Sequence, residues 1–240
     1  MLEKNKIAVC YGGGVNSTAI LCGLHERGII PDAIVFSDVG AENPKTYEHI
    51  KLVSDWCISI GFPEITIVTA PNKLLEQDCI DRNSLPAIAF GFKTCSLRFK
   101  SQPFEKWKNN NGFKGCTKLI GIDAGEHHRA KHFEGTEYPL IEWNWDREDC
   151  VEAIKRVGLP VPPKSSCFFC PSMKPKEILE LKRNNPDLLE RALFMERNAD
   201  LTSIKGLGRS FAWAALVKYD NDQTDMFRTT QEIPCECYDG

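Results

Sequence analysis

The sequence predicts an α/β protein with a doubly wound, mostly parallel sheet and a helical, cysteine-bearing C-terminal part. Three observations support this fold class. Short apolar runs typical of buried strands alternate with longer segments of helical periodicity. Three consecutive glycines lie directly between the first expected strand and the first expected helix. The 240 residues, 42% of them hydrophobic, suit one such domain with an appended part.

The first half of the chain gives the expected elements in order. They are strands at residues 7–10, 33–36, 65–69 and 118–122, and helices at residues 17–27 and 44–60. Pro44 suits a first helical turn, because the N–H that proline lacks is unpaired there in any helix. Alternating strands and helices predict parallel strands, and ligands of such sheets bind at the carboxyl ends of the strands.

The second half of the chain is mostly helical in pattern. We expect a helix at 146–157, a proline-rich loop at 158–164, two helices within 176–199 that are separated at Pro186, and a short helix at 207–218. The stretch between residues 84 and 115 is less regular and locally basic. The expected division is therefore a core at residues 1–145 and a helical part at residues 146–240.

Composition and charge exclude several classes of function. A protein that grips nucleic acid by itself usually has a basic balance, because neutralising phosphates supplies most of the non-specific affinity. The formal net charge of −3 argues against this, so contact with nucleic acid would be local or shared with a partner. No apolar run reaches the roughly 18 residues of a membrane span, and no secretory signal pattern is visible. We expect a cytoplasmic protein without membrane contact.

The glycine cluster is the first candidate site. The segment Tyr11-Gly-Gly-Gly-Val-Asn-Ser17 joins the first strand to the first helix. Glycines let the backbone approach an anion closely, and the amides at a helix start favour phosphate. The alternative is an ordinary strand–helix turn with Asn16 as the helix N-cap. The segment lacks the Gly-Lys-Ser/Thr ending of a Walker A loop.

This segment resembles the PP-loop, Ser-Gly-Gly-x-x-Ser, of the ATP pyrophosphatases, with Tyr11 at the position of the leading serine. The loop of that family holds the pyrophosphate that leaves when ATP adenylates a substrate. The resemblance implies ATP and Mg²⁺ as ligands. It assigns nucleotide binding to Tyr11, Gly12, Gly13, Gly14, Val15, Asn16, Ser17 and Thr18.

Two further blocks resemble the PAPS reductase-like branch, whose fold is of the adenine nucleotide alpha hydrolase type. Residues 37–46, Ser-Asp-Val-Gly-Ala-Glu-Asn-Pro-Lys-Thr, are similar to its Asp-Thr-Gly-x-x-x-Pro-Glu-Thr stretch. Residues 121–129, Gly-Ile-Asp-Ala-Gly-Glu-His-His-Arg, are similar to its Gly-Ile-Arg-x-x-Glu-x-x-Arg stretch, with Asp123 replacing an arginine. The resemblance adds Ser37, Asp38, Gly121 and Glu126 to nucleotide binding, and implies catalytic roles for Ser17, Asp38, Lys100 and Arg129.

Some of the eleven cysteines form a second candidate site, whereas Cys10, Cys22 and Cys57 lie in apolar runs typical of a core. Cys95 precedes a basic segment, and Cys167-Phe-Phe-Cys170-Pro171 is a Cys-x-x-Cys-Pro pattern, which occurs at iron–sulfur sites. Four thiolates suit a [4Fe–4S] cluster, with a zinc site, a redox-active pair or structural cysteines as alternatives. The branch has similar cysteine blocks and a C-terminal Glu-Cys-x-Gly element. The resemblance therefore implies Cys95, Cys167, Cys170 and Cys237 as ligands, with Cys235 as the alternative fourth ligand.

The resemblance implies an enzyme that adenylates a substrate so that sulfur can be added. It is similar to the ATP-pyrophosphatase component of DNA phosphorothioation systems of the Dnd or Ssp type, with a cysteine desulfurase as the sulfur donor and DNA contacted through other subunits. The alternatives are a (phospho)adenylyl sulfate reductase, a tRNA-thiolation enzyme and an ATP-binding protein without turnover. The reductase chemistry uses a Glu-Cys-Gly-x-His tail, whereas here Glu236-Cys237 is followed by Tyr-Asp-Gly and no histidine occurs after His132.

Overall fold

The computed structural model describes residues 5–91 and 94–231, with side chains up to residue 222. The chain divides into two compact units. The first comprises the described residues up to Leu75 together with Cys95–Cys167, and the second comprises those of Glu76–Thr94 and from Phe168 onward. This division differs from the expected one, because residues 146–167 belong to the first unit.

The predicted fold class is confirmed in the described residues, which form an α/β structure around one parallel sheet. Its strands are β1 (Ile7–Tyr11), β2 (Ala33–Asp38), β3 (Ile65–Thr69), β4 (Thr117–Ile120) and β5 (Thr136–Glu137), in the order β3-β2-β1-β4-β5. β1 is central, and Cys10 on it aligns with Val35 of β2 and Ile120 of β4. The chain order reverses on either side of β1, so the carboxyl end of β1 is the switch point at which ligands bind in such sheets.

Helices of the first unit pack on both faces of the sheet, as a doubly wound fold requires, and the described residues of the whole chain contain ten α-helices. They are α1 (Val15–Glu26), α2 (Pro44–Ser59), α3 (Leu75–Asp81), α4 (Thr94–Ser96), α5 (Gln102–Asn110), α6 (Pro139–Glu142), α7 (Arg147–Arg156), α8 (Pro175–Asn184), α9 (Pro186–Asn198) and α10 (Trp213–Gln231). A π-helical segment, Leu97–Ser101, joins α4 to α5, and 3-10 helices lie at Ala87–Phe90 and Ala124–Arg129. None of the described helices has both the length and the apolar character needed to cross a membrane.

Alternation along β1 and β2 divides the core of the first unit into two parts. Val9, Tyr11, Ile34 and Phe36 face one side and pack with buried residues of α1, α2 and α7. Ala8 and Val35 face the other side and pack with Phe104 of α5. α7 belongs to the first unit because its apolar side chains Cys150, Ala153 and Ile154 are fully buried in the same cluster as α1.

In the second unit, two glutamate carboxylates, Glu196 and Glu76, connect segments that are distant in the sequence. The buried Glu196 carboxylate accepts hydrogen bonds from the N–H group of Leu207 and from those of Trp213 and Ala214, the first two residues of α10. Arg191 forms a two-pronged salt bridge with Glu76 and lies over the Phe168 ring at 4.8 Å. Phe168 and Phe169 of the Cys-Phe-Phe-Cys segment are both buried.

Candidate nucleotide-binding site

The glycine loop lies at the switch point of the sheet. β1 ends at Tyr11 and α1 begins at Val15, with Gly14 as its N-cap and no side chain capping the helix. The alternative with Asn16 as the N-cap is therefore wrong, since Asn16 lies in the first helical turn. The hydroxyl groups of Ser17 and Thr18 both donate to the Gly14 carbonyl, at 3.1 and 3.0 Å. A helix start without a side-chain cap presents amides and a positive dipole end to an anion.

Gly13 sets the shape of the loop. Its φ is +70°, and a Cβ atom added there would lie 3.0 Å from Thr46 Cγ2 and 3.3 Å from Ile50 Cγ1. A residue with a side chain would therefore be strained in its backbone and crowded by α2. The Thr46 hydroxyl next to this turn is fully buried and has no hydrogen-bond partner among the described residues. A buried hydroxyl without a partner is costly, so Thr46 is an energetically unfavourable polar group beside the turn.

Hydrogen bonds from residues distant in sequence support the loop. The Ser165 hydroxyl donates to the Gly12 carbonyl at 2.6 Å. The side-chain amide nitrogen of Asn16 donates to Asp123 Oδ2 at 2.9 Å, and its side-chain oxygen Oδ1 accepts from the Arg147 guanidinium at 3.0 Å. These hydrogen bonds pair the polar side chains that surround the loop.

Gly121 and Asp123, at the end of β4, explain how closely that strand approaches α1. A Cβ atom on Gly121 would lie 2.9 Å from the Ser17 amide nitrogen. Asp123 is buried, and its second oxygen accepts from the Glu126 amide at 3.0 Å. Gly121 is thus required for packing against the loop, and Asp123 holds the loop through Asn16.

Tyr11 does not offer its phenol to the loop. The side chain is 3% exposed and belongs to the core between β1 and α1. Because the Thr18 hydroxyl donates its hydrogen to the Gly14 carbonyl, the Tyr11 hydroxyl is the donor to Thr18 Oγ1, at 3.2 Å. Burial raises the pKa of Tyr11 well above its usual value, which keeps the phenol neutral. The predicted nucleotide contact of Tyr11 can therefore come only from its backbone.

Ser37 and Asp38 follow at the carboxyl end of β2. The Ser37 hydroxyl donates to the Lys100 carbonyl at 2.9 Å. Asp38 Oδ1 accepts from the Gly40 amide at 2.7 Å and from the Tyr47 hydroxyl at 2.8 Å. Both predicted site residues lie at this edge of the sheet, where Asp38 shapes the connection between β2 and α2 and Ser37 ties β2 to the π-helical segment Leu97–Ser101.

Lys100 is paired with a carboxylate that the sequence did not single out. Its ammonium lies 3.4 Å from Glu42 Oε1, and the Glu42 side chain is completely buried. The other carboxylate oxygen, Glu42 Oε2, has no hydrogen-bond partner among the described residues. Burial raises the pKa of Glu42, and the Lys100 charge opposes that rise.

A cavity of about 300 Å³ opens beside the loop in the first unit. Its volume is at the lower end of ligand pockets. Burial raises the pKa of the Cys10 thiol on its wall to about 12, so that thiol stays protonated and is no nucleophile near neutral pH. The remaining lining residues are Tyr11, Gly12, Val35, Phe36, Ser37, Ser96, Lys100, Ser101, Phe104, Glu105, Lys118 and Ile120. The cavity brings the predicted residues Gly12, Ser37 and Lys100 together.

Glu126 and Arg129 follow β4 in the chain. They form an ion pair within the 3-10 helix Ala124–Arg129, and both side chains are exposed. Glu126 lines an open depression with Asn16, Asp123 and Arg147. Arg129 lines neither this depression nor the cavity beside Gly12, so a phosphate contact of Arg129 stays a prediction.

The predicted cysteine ligands are divided between the two units. Cys95 and Cys167 belong to the first unit and Cys170 to the second, and all three are half-buried. Cys167 forms an isolated antiparallel bridge with Glu42, while Cys235 and Cys237 lie outside the described residues. Within residues 5–91 and 94–231, no three His, Cys, Asp or Glu side chains are grouped so that they could hold a metal ion. The cluster assignment therefore stays a prediction.

Four residues of the site were not assigned from the sequence. Glu42 and Thr46 lie within the block that resembles the PAPS reductase-like branch, and Ser165 precedes the cysteine pair, so a motif signal existed for these three. Arg147 carried no signal, because it reaches Asn16 from 131 positions away.

Comparisons with known proteins place the chain among distant relatives. No family model matches it. It is 26% identical over 188 residues to an uncharacterised nin-region protein, ORF290, of Escherichia phage lambda, covering 68% of this chain and 64% of that protein. It is 26% identical over 174 residues to argininosuccinate synthase of Limosilactobacillus reuteri, covering 67% of this chain and 40% of the synthase. The chain thus spans less than two thirds of the length of these relatives.

Two solved structures are similar to the chain. One is phosphoadenylyl-sulfate (PAPS) reductase from Candida auris in a phosphate complex, with a TM-score of 0.49, 17% identity and coverage of 67% of this chain and 77% of the reductase. The other is U34-tRNA thiolase NcsA from Methanococcus maripaludis with its [4Fe-4S] cluster, with a TM-score of 0.47, 15% identity and coverage of 80% and 72%. The related argininosuccinate synthase is PP-loop-like, in agreement with the PP-loop resemblance of the sequence motifs of this chain.

Proposed function

We propose that this protein binds ATP at the loop Gly12–Gly14 and the start of α1, and cleaves it between the α- and β-phosphates to adenylate a substrate. One observation carries the proposal. The uncapped start of α1 and the left-handed Gly13 form a backbone cradle, and a side chain at position 13 would strain this turn and press on Thr46 and Ile50 of α2. Such a cradle suits the oxygens of a pyrophosphate group.

The residues of the site would act mainly by position and charge. Amides of the loop and the dipole of α1 would hold the leaving pyrophosphate, and the Lys100 ammonium would neutralise charge in the adjoining cavity. The apolar walls Val35 and Phe104 suit a nucleobase, which packs well on such surfaces. Bound Mg²⁺ would supply further neutralisation of the phosphates.

The acceptor we propose is a nucleic-acid group, as in DNA phosphorothioation, with sulfur delivered by a cysteine desulfurase. The support is the resemblance of the three sequence blocks together with their observed positions at one edge of the sheet. The net charge of −3 suits a subunit that meets DNA through other proteins.

An iron–sulfur cluster is part of this proposal on the strength of the cysteine spacing alone. The described residues do not assemble such a site. No step of the reaction above therefore passes through a cluster.

The test is the product of ATP turnover. We expect the protein with Mg²⁺ to release pyrophosphate from ATP, and Gly13→Val to lower the rate by at least about a hundredfold, because the side chain strains the turn and displaces Thr46. Gly28→Ala is the matched control, since Gly28 also has a positive φ but lies in open space far from the site. Release of orthophosphate instead of pyrophosphate would rule out cleavage between the α- and β-phosphates.

A further inference from the structure

We propose that Glu42 is a positioning residue that holds the Lys100 ammonium towards the phosphate-binding end of the cavity. The inference deepens the proposed function, on which it rests for the identity of the anion. It concerns the ion pair between the half-exposed Lys100 and the buried Glu42 carboxylate in the first unit, in which the sequence assigned no role to Glu42.

The Glu42 carboxylate is an expensive group in its place. Its side chain is completely buried, one oxygen faces Lys100 at 3.4 Å, and the other has no partner among the described residues. Taking a carboxylate out of water costs several kcal/mol, and one imperfect ion pair does not repay that cost. A contribution to stability therefore explains Glu42 poorly, whereas a role in orienting Lys100 explains it well.

The backbone that carries Glu42 is itself fixed. Tyr47 and the Gly40 amide both bind Asp38 Oδ1, and the Glu42 amide faces the Tyr47 hydroxyl at 3.4 Å. On the opposite side Glu42 forms an antiparallel bridge with Cys167. The carboxylate is thus held by a preorganised connection between β2 and α2, which is the requirement for a supporting residue.

Lys100 is held at both its backbone and its side chain, by Ser37 of β2 and by Glu42 of the connection between β2 and α2. Its carbonyl accepts the Ser37 hydroxyl at 2.9 Å, and its ammonium faces Glu42. The Lys100 side chain is 41% exposed and lines the same cavity as Gly12. A flexible ammonium on a four-carbon stem loses less entropy on binding an anion when its direction is already fixed.

The first experiment is a double-mutant cycle read by calorimetric binding of inorganic pyrophosphate and of ATP. We expect Glu42→Gln and Lys100→Gln each to weaken binding of both probes by about tenfold, and the double variant to bind no more weakly than Lys100→Gln alone, because Glu42 acts through Lys100. Glu152→Gln, which breaks the exposed pair with Lys155, is the matched control and should bind as the unaltered protein does. Additive losses in the double variant would overturn the proposal.

The second experiment does not depend on nucleotide. Trace acetylation followed by mass spectrometry compares the labelling rate of Lys100 with that of Lys155 in the same molecules. We expect Glu42→Gln to raise the relative rate at Lys100 several-fold, because the ammonium is no longer held by a carboxylate. An unchanged rate in a protein that unfolds at the usual temperature would overturn the role of Glu42. If the unaltered protein binds neither ATP nor pyrophosphate while labelling changes as expected, the proposed function fails and the link between Glu42 and Lys100 stands.

Discussion

Two residues that depart from the PP-loop patterns have structural roles. Alternation along β1 places the Tyr11 side chain in the core, where its hydroxyl donates to Thr18. Asp123, which replaces an arginine of the related block, binds Asn16 and the Glu126 amide. Neither substitution puts a side chain into the cradle around Gly13. The departures that favoured a protein without turnover are therefore compatible with an intact phosphate loop.

His49 gives a prediction at the residue scale. It is 6% exposed, Nε2 has no partner among the described residues, and burial lowers its pKa below the ordinary value of 6.5. The unfolded chain then binds the proton more readily than the folded one, so stability is complete above about pH 6.5 and falls as the pH drops below it. We expect the free energy of urea unfolding to decline by up to about 1.4 kcal/mol per pH unit between pH 6.5 and the lowered pKa.

The variant His49→Phe should flatten this decline, because the titrating group is gone. His132→Gln is the control, because it also removes one histidine but at an exposed position. An identical slope in His49→Phe and in the unaltered protein would contradict the assignment.

At the scale of elements, the segment from Thr94 to Asn110 shows why one part of the pattern was missed. The sequence predicts an irregular basic stretch there, whereas the structure has α4, a π-helical segment and α5. Phe99 and Phe104 are both buried although they are five residues apart, a spacing that does not keep two side chains on one face of an α-helix. Because Leu97–Ser101 is π-helical, a search for a 3.6-residue period does not fit this part of the chain.

The cysteine pair gives a prediction at the same scale. Between Cys167 and Cys170, Phe168 and Phe169 are buried and anchor the segment. We expect protein purified without oxygen to be brown, with a broad absorbance near about 400 nm from a thiolate-bound iron–sulfur cluster, and Cys167→Ser to lose it. Cys22→Ala, which alters a buried core cysteine, should keep the colour. A colourless protein with one bound zinc would show that the cysteines form a structural metal site instead.

At the scale of the whole molecule, charge separates the candidate functions. The net charge of −3 leads us to expect that radiolabelled sulfur passes from a cysteine desulfurase to DNA only when other DNA-binding subunits are present, because this chain supplies few phosphate contacts. The measurement is ATP-dependent transfer of the label to DNA, with tRNA as the parallel acceptor. Labelling of tRNA alone would indicate thiolation of tRNA, and release of sulfite from phosphoadenylyl sulfate would indicate a reductase.

The sequence by itself determined the alternation of strands and helices, the position of the glycine loop and the superfamily it resembles. These features are local, because strand periodicity, glycine conformation and helix starts depend on residues a few positions apart. Only the tertiary structure decided that Ser165 braces Gly12 across 153 positions, that Glu42 pairs with Lys100 across 58 and that α7 packs on α1. Such contacts depend on how the chain folds back on itself, since hydrogen bonds and ion pairs form only between atoms that packing has brought within a few ångströms.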